Sequence, residues 1–270
     1  RAGSRWPHFE ESCNRYMPFP FYLAYATAVL EREGHDCCLV DGIAERITEQ
    51  EFLSRIEKFQ PDLIVLEVST ASMDTDLRQA REAKKQCPES SIVFCGPHLG
   101  MYEPAFFERV PEVHYVLQGE YEYILRDLVS ALETGGKMEA IRGLGFRDSG
   151  GRGIVNPRAE VIRDLDSLPW PSRKHLPIRN YYDQPGAIPE PTLQIWASRG
   201  CPFQCVFCAW PQIMYGNNLY RTRNPVDVVD EIEAMKNEYG FRSVYFDDDT
   251  FNIGKKRILA LCEEMRKRNL

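Results

Sequence analysis

Short apolar runs that alternate with helical patterns constrain the fold of this chain more than any other feature of its sequence. Residues 63–68 and 92–95 are nearly continuous apolar runs, which is the pattern of strands buried on both faces. Between them, residues 74–86 have the polar, amphipathic pattern of a surface helix. Because parallel strands are joined by right-handed helical crossovers, the first half is predicted to be an α/β domain with a doubly wound parallel sheet.

Further elements of the same kind surround these runs. A helix is predicted over residues 51–59, whose apolar side chains fall on one face. Residues 21–33 are apolar on nearly all sides, so either sheet and neighbouring domain or a large apolar ligand should cover this helix. No strand precedes it, and we expect the first strand of the sheet to lie upstream of Arg1. The remaining predicted elements of this half are strands at 36–40 and 113–117 and a helix through 124–132.

The second half begins with a predicted hairpin and then starts a new βα series. Residues 141–146 and 154–156 form the hairpin, and repeated prolines make the following segment an extended connector. Strands at 192–197 and 243–246 alternate with helices that begin at 224 and 255. We therefore predict a first domain over 1–137, a hairpin and linker over 138–191, and a second domain over 192–270. Since only two βα units follow the linker and the chain opens on Arg1, we expect it to be part of a longer polypeptide.

Composition excludes several classes of function. The 270 residues carry a net charge of −7 and no long basic run, which argues against nucleic acid as a partner. No apolar stretch has the length of a membrane span, and no signal-peptide pattern is present. Nine cysteines, an odd number, in a βα pattern favour a reducing compartment, and hence the cytoplasm.

Three cysteines within eight residues follow the strand predicted at 192–197. They are Cys201, Cys205 and Cys208. Thiolates hold iron–sulfur clusters, normally four to a [4Fe–4S] cluster, so three would leave one iron open to an exogenous chelate. Zinc sites typically use two pairs of closely spaced Cys or Cys/His ligands, and the C-x-x-x-C-x-x-C spacing does not provide them. The sequence therefore predicts a [4Fe–4S] cluster with an open iron, and a zinc loop or coincidental structural cysteines are the alternative.

The same stretch, with the aromatic Phe207 before the last cysteine, resembles the radical S-adenosylmethionine (SAM) superfamily. The resemblance implies a partial TIM barrel and an iron that binds the amino and carboxylate groups of SAM. It also implies that the reduced cluster cleaves SAM to methionine and a 5′-deoxyadenosyl radical. Asp248 and Asp249 are similar to a D-D-x-F motif of cobalamin-linked members, which would accept hydrogen bonds from the SAM amino group; a solvated turn is the alternative. Arg221 and Arg223 resemble an R-x-R sequence that stands just before the helix in such members. Surface charges are the alternative.

Polar residues and glycines follow the strands predicted in the first half. Ligands of doubly wound sheets bind at the carboxyl ends of the strands. A dinucleotide is poorly supported, because the chain has no G-x-G-x-x-G. The candidate binding residues are Ser69, Thr70, Gly96, Pro97, His98, Gly119 and Glu120.

Placed before a radical SAM triad, roughly residues 18–132 are similar to cobalamin-binding domains. The similarity is carried by residues 18–20, 96–98 and 119–122, in that order. It implies a slot for the dimethylbenzimidazole tail of cobalamin, lined by residues such as Ser69, Thr70 and Gly96, while His98 faces the tail or packs locally. The D-x-H-x-x-G motif that ligates cobalt in many such domains is absent. His8 lies in the corresponding region and is predicted to be a surface or packing residue.

Together these resemblances identify the chain as similar to cobalamin-dependent radical SAM enzymes, the family of the magnesium-protoporphyrin ester cyclases and class B methyltransferases. The fold they imply is a Rossmann-like cobalamin-binding sheet followed by the first two βα units of a radical SAM barrel. The expected reaction is methyl transfer to an unactivated carbon or to phosphorus of a small-molecule substrate, with an electron donor of the flavodoxin or ferredoxin type. An oxidative cyclase or rearrangement enzyme, and a non-catalytic cobalamin- or cluster-binding protein, are the alternatives.

Overall fold

The computed structural model describes residues 17–182 and 188–270, which divide into two compact units. Among these residues, the first unit consists of 20–161 and 171–176. The second consists of 17–19, 162–170 and 177–270. Each unit has its own sheets and helices.

A five-stranded sheet forms the centre of the first unit, and its strands lie in the order of the chain. The first three strands are parallel and the last two are antiparallel, so the sheet is mixed. The strands are β1 (Leu63–Glu67), β2 (Ser91–Cys95), β3 (Tyr115–Leu117), β4 (Leu144–Arg147) and β5 (Gly153–Val155).

Helices cover this sheet, and local capping residues mark the ends of two of them. Thr48 and Glu51 form a reciprocal capping box at the start of the third helix, and Gly135 ends the sixth in a left-handed conformation. The helices are α1 (Phe21–Arg32), α2 (Gly42–Glu45), α3 (Glu49–Phe59), α4 (Met73–Gln86), α5 (Pro104–Arg109) and α6 (Glu122–Thr134), with short 3₁₀ turns at Leu99–Met101 and Met138–Ala140.

The apolar helix α1 packs against α6. The ring of Tyr22 lies 5.8 Å from that of Tyr121, between centroids, and both side chains are fully buried. Within the first unit, a neighbouring helix therefore covers part of the apolar surface that the sequence left open to a domain or a ligand.

The predicted hairpin is present, but it is part of the first sheet. Phe146 of β4 is in register with Tyr115 of β3 and with Ile154 of β5. A two-stranded hairpin alone buries too little surface to be stable in water, whereas β4 here adds its backbone hydrogen bonds to β3. The first compact unit thus extends to Val161, beyond the sequence-based boundary at residue 137.

Of the strands predicted in the first half, the one at residues 36–40 is missing from the sheet. These residues are extended, but no strand ladder includes them in the described part of the chain. A cleft of about 890 Å³ lies beside them, lined by Leu39 and Val40 and by Leu63 and Val65 of β1. The prediction of a paired strand is therefore wrong for this chain, because an extended segment needs an adjacent backbone to complete a ladder.

The second unit contains the second βα series. Its first strand pairs in parallel with its last, with Leu193 in register with Val244. Asn224 caps the first helix by accepting from the N–H of Val226 at 3.0 Å, Pro225 is its first residue, and Gly240 ends it. The elements are β6 (Thr192–Ile195), β7 (Ser198–Arg199), a π-helical turn (Pro211–Tyr215), β8 (Arg221–Thr222), α7 (Pro225–Tyr239), β9 (Ser243–Phe246) and α8 (Lys255–Lys267), with 3₁₀ turns at Leu165–Ser167 and Ile178–Asn180.

Across the two described ranges, no helix has the length and apolar character that crossing a bilayer would require.

Candidate functional site

The cysteine loop of the second unit begins directly after β7. Gly200 turns the chain with φ of +89°, and a Cβ atom there would overlap the carbonyl oxygen of Leu219. Cys201 and Cys208 are half-buried, Cys205 is exposed, and all three are free thiols. The N–H of Cys208 donates to the carbonyl of Cys205 at 3.0 Å, which closes a tight turn between the last two cysteines. The loop thus presents three unoxidised sulfurs within eight residues.

The three sulfurs do not converge as the ligands of one metal ion. Among residues 17–182 and 188–270, no group of three His, Cys, Asp or Glu side chains has that arrangement. A tetrahedral zinc site requires such convergence, whereas a [4Fe–4S] cluster takes each thiolate on a different iron. Three thiols are a donor set that suits a [4Fe–4S] cluster, and the cluster stays a prediction.

Two adjacent carboxylates hold this loop in place from the end of β9. Oδ2 of Asp249 accepts from the backbone N–H of Gly200 at 2.8 Å and from the hydroxyl of Tyr215 at 2.5 Å. Asp248 is buried and accepts from the N–H of Ala197 at 3.2 Å and from the hydroxyl of Ser198. The D-D motif therefore has structural partners on both sides of β7, which the solvated-turn alternative lacks.

These contacts leave the predicted SAM role of Asp248 and Asp249 open. An ionised carboxylate offers about four acceptor positions, so holding the loop does not by itself exclude a contact to a ligand. Their role towards the SAM amino group stays a prediction.

One hydroxyl donates directly to a sulfur of the loop. Oγ1 of Thr250 lies 3.1 Å from Sγ of Cys201, within hydrogen-bond distance for a sulfur acceptor. Thr250 follows Asp249 in sequence, so β9 is linked to the loop at two consecutive residues. Sequence reasoning missed Thr250, because a threonine after a D-D pair carries no signal without the fold.

The side chain of Phe207 points away from the protein core. It is 88 % exposed, between Cys205 and Cys208 in the loop. An exposed aromatic ring between candidate cluster ligands is available to a ligand, as the resemblance implies.

The two arginines of the R-x-R pattern are buried, so the surface-charge alternative is wrong. Arg223 donates to Glu231 at 2.7 Å and to Asp227 at 2.6 Å. Arg221 donates to the carbonyl of Ile162 at 2.6 Å, and its guanidinium lies 5.1 Å from the ring centre of Tyr215. Both side chains hold together the second unit around the loop.

The candidate cobalamin residues of the first unit meet at one edge of its sheet. Ser69 and Thr70 follow β1, Gly96–His98 follow β2, and Gly119 and Glu120 follow β3. Since β1, β2 and β3 are parallel neighbours, their carboxyl ends lie side by side. This is the edge at which doubly wound sheets bind ligands.

A hydrogen bond and a close backbone approach join the ends of β1 and β2. Oγ1 of Thr70 lies 3.1 Å from Nδ1 of His98, and burial together with the charge of Arg109 lowers the pKa of that histidine. Gly96 has φ of +107°, and a Cβ atom there would lie 2.5 Å from the carbonyl oxygen of Val68. Only glycine therefore fits at the end of β2 without displacing the backbone of the adjacent strand end.

The remaining candidates differ in burial and in backbone conformation. Pro97 is half-buried, Gly119 has φ of +84°, and Glu120 is buried. Ser69 is buried and its hydroxyl lies 3.0 Å from that of Ser72. His8, the histidine considered as a cobalt ligand, lies outside the described residues.

Comparison with known proteins assigns the first unit. Residues 15–129 match the family model of the B12 binding domain. The match covers β1, β2, β3 and the strand ends that carry all seven candidate residues. The first unit, up to residue 129, thus matches a B12 binding domain.

Relatives extend the assignment to the rest of the chain. It is 32% identical over 93% of its length to an uncharacterized methyltransferase, PH0819, of Pyrococcus horikoshii, and covers 53% of that protein. It is 30% identical, again over 93% of its length, to the anaerobic magnesium-protoporphyrin IX monomethyl ester cyclase of Cereibacter sphaeroides, and covers 40% of it. The chain is thus similar over most of its length to a methyltransferase and to an ester cyclase. It is also 28% identical, over 56% of its length, to the cobalamin-dependent radical SAM methyltransferase TokK of Streptomyces tokunonensis, of which it covers 22%. It spans about half the length of these relatives or less.

A solved structure shows the same fold. The cobalamin-dependent SAM radical enzyme OxsB, with aqua-cobalamin and SAM bound, superposes with a TM-score of 0.76 at 21% identity. The match covers 95% of this chain and 36% of OxsB. Both units described here therefore correspond to parts of one known architecture.

Proposed function

We propose that this chain is part of a cobalamin-dependent radical SAM methyltransferase. Its substrate would be a small molecule methylated at an unactivated carbon or at phosphorus. One observation carries the proposal: three free thiols lie on a loop that Asp249 fixes to the end of β9 through the N–H of Gly200, in a chain that opens with a B12-binding domain.

In this proposal, Cys201, Cys205 and Cys208 hold a [4Fe–4S] cluster. Three thiolates leave one iron for SAM. The loop is suited to this task because hydrogen bonds fix its first residue while Cys205 and Phe207 stay exposed. All three thiols are free and so available as ligands.

Asp248, Asp249 and Phe207 would position SAM. The two carboxylates lie next to the cysteine loop, and an ammonium group would give them the stronger, charge-assisted type of hydrogen bond. The exposed ring of Phe207 offers an apolar face beside the same cysteines. These residues would therefore orient the reacting bond of SAM relative to the open iron.

The strand ends of the first unit would bind cobalamin. Gly96 lets the ends of β1 and β2 approach each other closely because it lacks a side chain, and the Thr70–His98 pair borders the same edge. Ser69, Pro97, Gly119 and Glu120 complete the edge. The bound cofactors would supply a 5′-deoxyadenosyl radical and a transferable methyl group, and the protein would hold them and the substrate apart from water and oxygen.

Reduction of the cluster requires an electron donor of low potential, and we propose a flavodoxin- or ferredoxin-type partner. A reducing, oxygen-poor cytoplasm would preserve both the thiols and the reduced cluster. These partners follow from the chemistry, since neither thiols nor carboxylates can supply the electron.

A second candidate is a radical cyclase, which the 30% identity to the anaerobic ester cyclase favours. A binding protein without catalysis is the candidate from another class. An electron-transfer role is disfavoured, since a transfer cluster would take four protein ligands.

The test uses the protein expressed from its whole coding sequence, reconstituted with iron and sulfide under nitrogen and supplied with cobalamin. With SAM and dithionite, either enzyme yields 5′-deoxyadenosine, and a methyltransferase also yields S-adenosylhomocysteine. The variant with alanine at all three cysteines is the control and should form neither product. Deoxyadenosine without S-adenosylhomocysteine would favour the cyclase, and absence of both would overturn the proposal.

A further inference from the structure

We propose that Thr250 raises the reduction potential of the iron–sulfur cluster by donating a hydrogen bond to the sulfur of Cys201. This inference rests on the proposed function, because it takes Cys201 to be a cluster ligand. It assigns a tuning role to a residue outside the cysteine motif and outside the D-D pair.

The contact between Thr250 and Cys201 is fixed on both sides. Oγ1 and Sγ are 3.1 Å apart. The preceding residues, Asp249 and Gly200, are joined by a 2.8 Å hydrogen bond from the N–H to the carboxylate. Two successive links therefore hold the end of β9 against the start of the loop, and the backbone of Thr250 is kept near the sulfur of Cys201.

The three sulfurs of the loop differ in their hydrogen bonds and in their burial. In the ranges that the structure describes, no side chain donates a hydrogen bond to the sulfur of Cys205 or Cys208. Cys201 and Thr250 are both half-buried, whereas Cys205 is exposed. The hydroxyl therefore acts on one ligand, in a region where water screens it less.

The direction of the effect follows from charge. A ligating thiolate carries no proton, so the hydroxyl of Thr250 must be the donor. Adding one electron to the cluster increases the negative charge on its sulfurs, which strengthens a hydrogen bond to them. The bond stabilises the reduced state more than the oxidised state and raises the potential. In the step concerned, the electron donor loses one electron, the cluster gains it, and the hydroxyl keeps its proton.

Replacing the hydroxyl should make the cluster harder to reduce. Thr250→Val keeps the shape of the side chain and removes the donor, whereas Thr250→Ser keeps the donor. Thr222→Val, at an exposed threonine of β8 in the same unit, makes the same chemical change away from the sulfurs. The comparison isolates the hydrogen bond from the loss of a hydroxyl in general.

The experiment is a redox titration of the reconstituted whole protein with dithionite, without SAM, followed by the electron paramagnetic resonance signal of the reduced cluster. At the wild-type midpoint potential, the ratio of reduced to oxidised cluster in Thr250→Val should fall by at least about threefold. A tenfold change in this ratio corresponds to 59 mV for one electron, and threefold is about half of that on the logarithmic scale. The midpoint potential of Thr250→Ser should stay near that of wild type, and the midpoint potential of Thr222→Val should equal that of wild type.

Each result distinguishes the inference from the function on which it rests. A Thr250→Val protein that holds a full complement of iron and titrates like wild type overturns the inference and leaves the proposed function standing. If that variant retains no iron, Thr250→Ala provides the same test with a smaller side chain, and a wild-type midpoint in it also overturns the inference. A wild-type protein that forms no cluster overturns the proposed function itself.

Discussion

The hydroxyl of Tyr215 donates a 2.5 Å hydrogen bond to Oδ2 of Asp249. The same oxygen accepts the N–H of Gly200 at 2.8 Å. Tyr215 ends the π-helical turn that follows the cysteines, and Gly200 precedes them, so one carboxylate oxygen joins both ends of the loop. Tyr215 is almost fully buried, and the guanidinium of Arg221 lies over its ring. The loop is thus closed by a buried phenol rather than by the cysteines themselves.

Removing this phenol hydroxyl should loosen the loop. In Tyr215→Phe, Asp249 loses a charge-assisted hydrogen bond, and we expect the free energy of unfolding to fall by about 1–3 kcal/mol. Urea titration followed by tryptophan fluorescence measures this, because Trp170, Trp196 and Trp210 all lie in the second unit. The reconstituted variant should also lose iron to a chelator faster than wild type.

The matched control is Tyr239→Phe, which removes a hydroxyl from a ring that packs on Phe241, 6.0 Å away. It should leave the rate of iron loss unchanged. Equal iron loss from the two variants would show that Tyr215 does not hold the loop.

Gly200 should tolerate no side chain. Its φ is +89°, and a Cβ atom would overlap the backbone oxygen of Leu219. Gly254 has a similar φ of +81°, but there the nearest heavy atom to a Cβ lies at 3.9 Å. Gly254→Ala therefore carries only the cost of the left-handed conformation, about 1–2 kcal/mol, whereas Gly200→Ala must also displace the loop. We expect Gly200→Ala to abolish iron incorporation and Gly254→Ala to retain it, as measured by iron content after reconstitution. Normal iron content in Gly200→Ala would contradict the geometry.

The buried ion pair of Arg223 should matter far more than an exposed one. The side chains of Arg223 and Glu231 are 5% and 0% exposed. Arg223→Met removes the guanidinium that pairs with the buried carboxylate of Glu231, and removing one partner of a buried ion pair costs about 3–5 kcal/mol. Lys267 pairs with Glu264 at 2.7 Å but is 57% exposed, so Lys267→Met should lower the free energy of unfolding far less. Urea midpoints of the two variants test the contrast, and equal losses would refute it.

The sequence predicted elements well where local patterns determine them. The strand at 243–246 coincides with β9, and the helix beginning at Asn224-Pro225 is α7, because cap, proline and terminal glycine are local signals. The strand at 36–40 fails for the opposite reason, since pairing depends on a neighbouring backbone that a local pattern does not reveal. The attachment of β4 to β3 is likewise a long-range pairing.

The candidate site shows the same division. The spacing of Cys201, Cys205 and Cys208 can be recognised in the sequence, because all three lie in one loop. Tyr215 and Thr250 could not be found this way, since Thr250 meets Cys201 only after β9 has paired with β6. Burial of Arg223 also depends on α7, which brings Asp227 and Glu231 to it. Contacts made by the fold, rather than residue types, define these roles.

His114 should make the first unit less stable in weak acid. Its Nδ1 accepts the N–H of Ile92 in β2 at 3.0 Å, which requires that nitrogen to be unprotonated. Burial, with the charges of Lys84 and Arg147, lowers the pKa of His114 below its ordinary value of 6.5. The unfolded chain therefore takes up a proton first as pH falls. The stability that the neutral ring contributes is complete above about pH 6.5 and is lost as pH decreases through the lowered pKa. Hydrogen exchange of β2, corrected for the intrinsic rate, should give a smaller free energy of opening at pH 5.5 than at pH 7.5. His114→Asn keeps an acceptor that cannot titrate in this range, so its two values should differ less. An equally large difference in that variant would assign the acid sensitivity to another group.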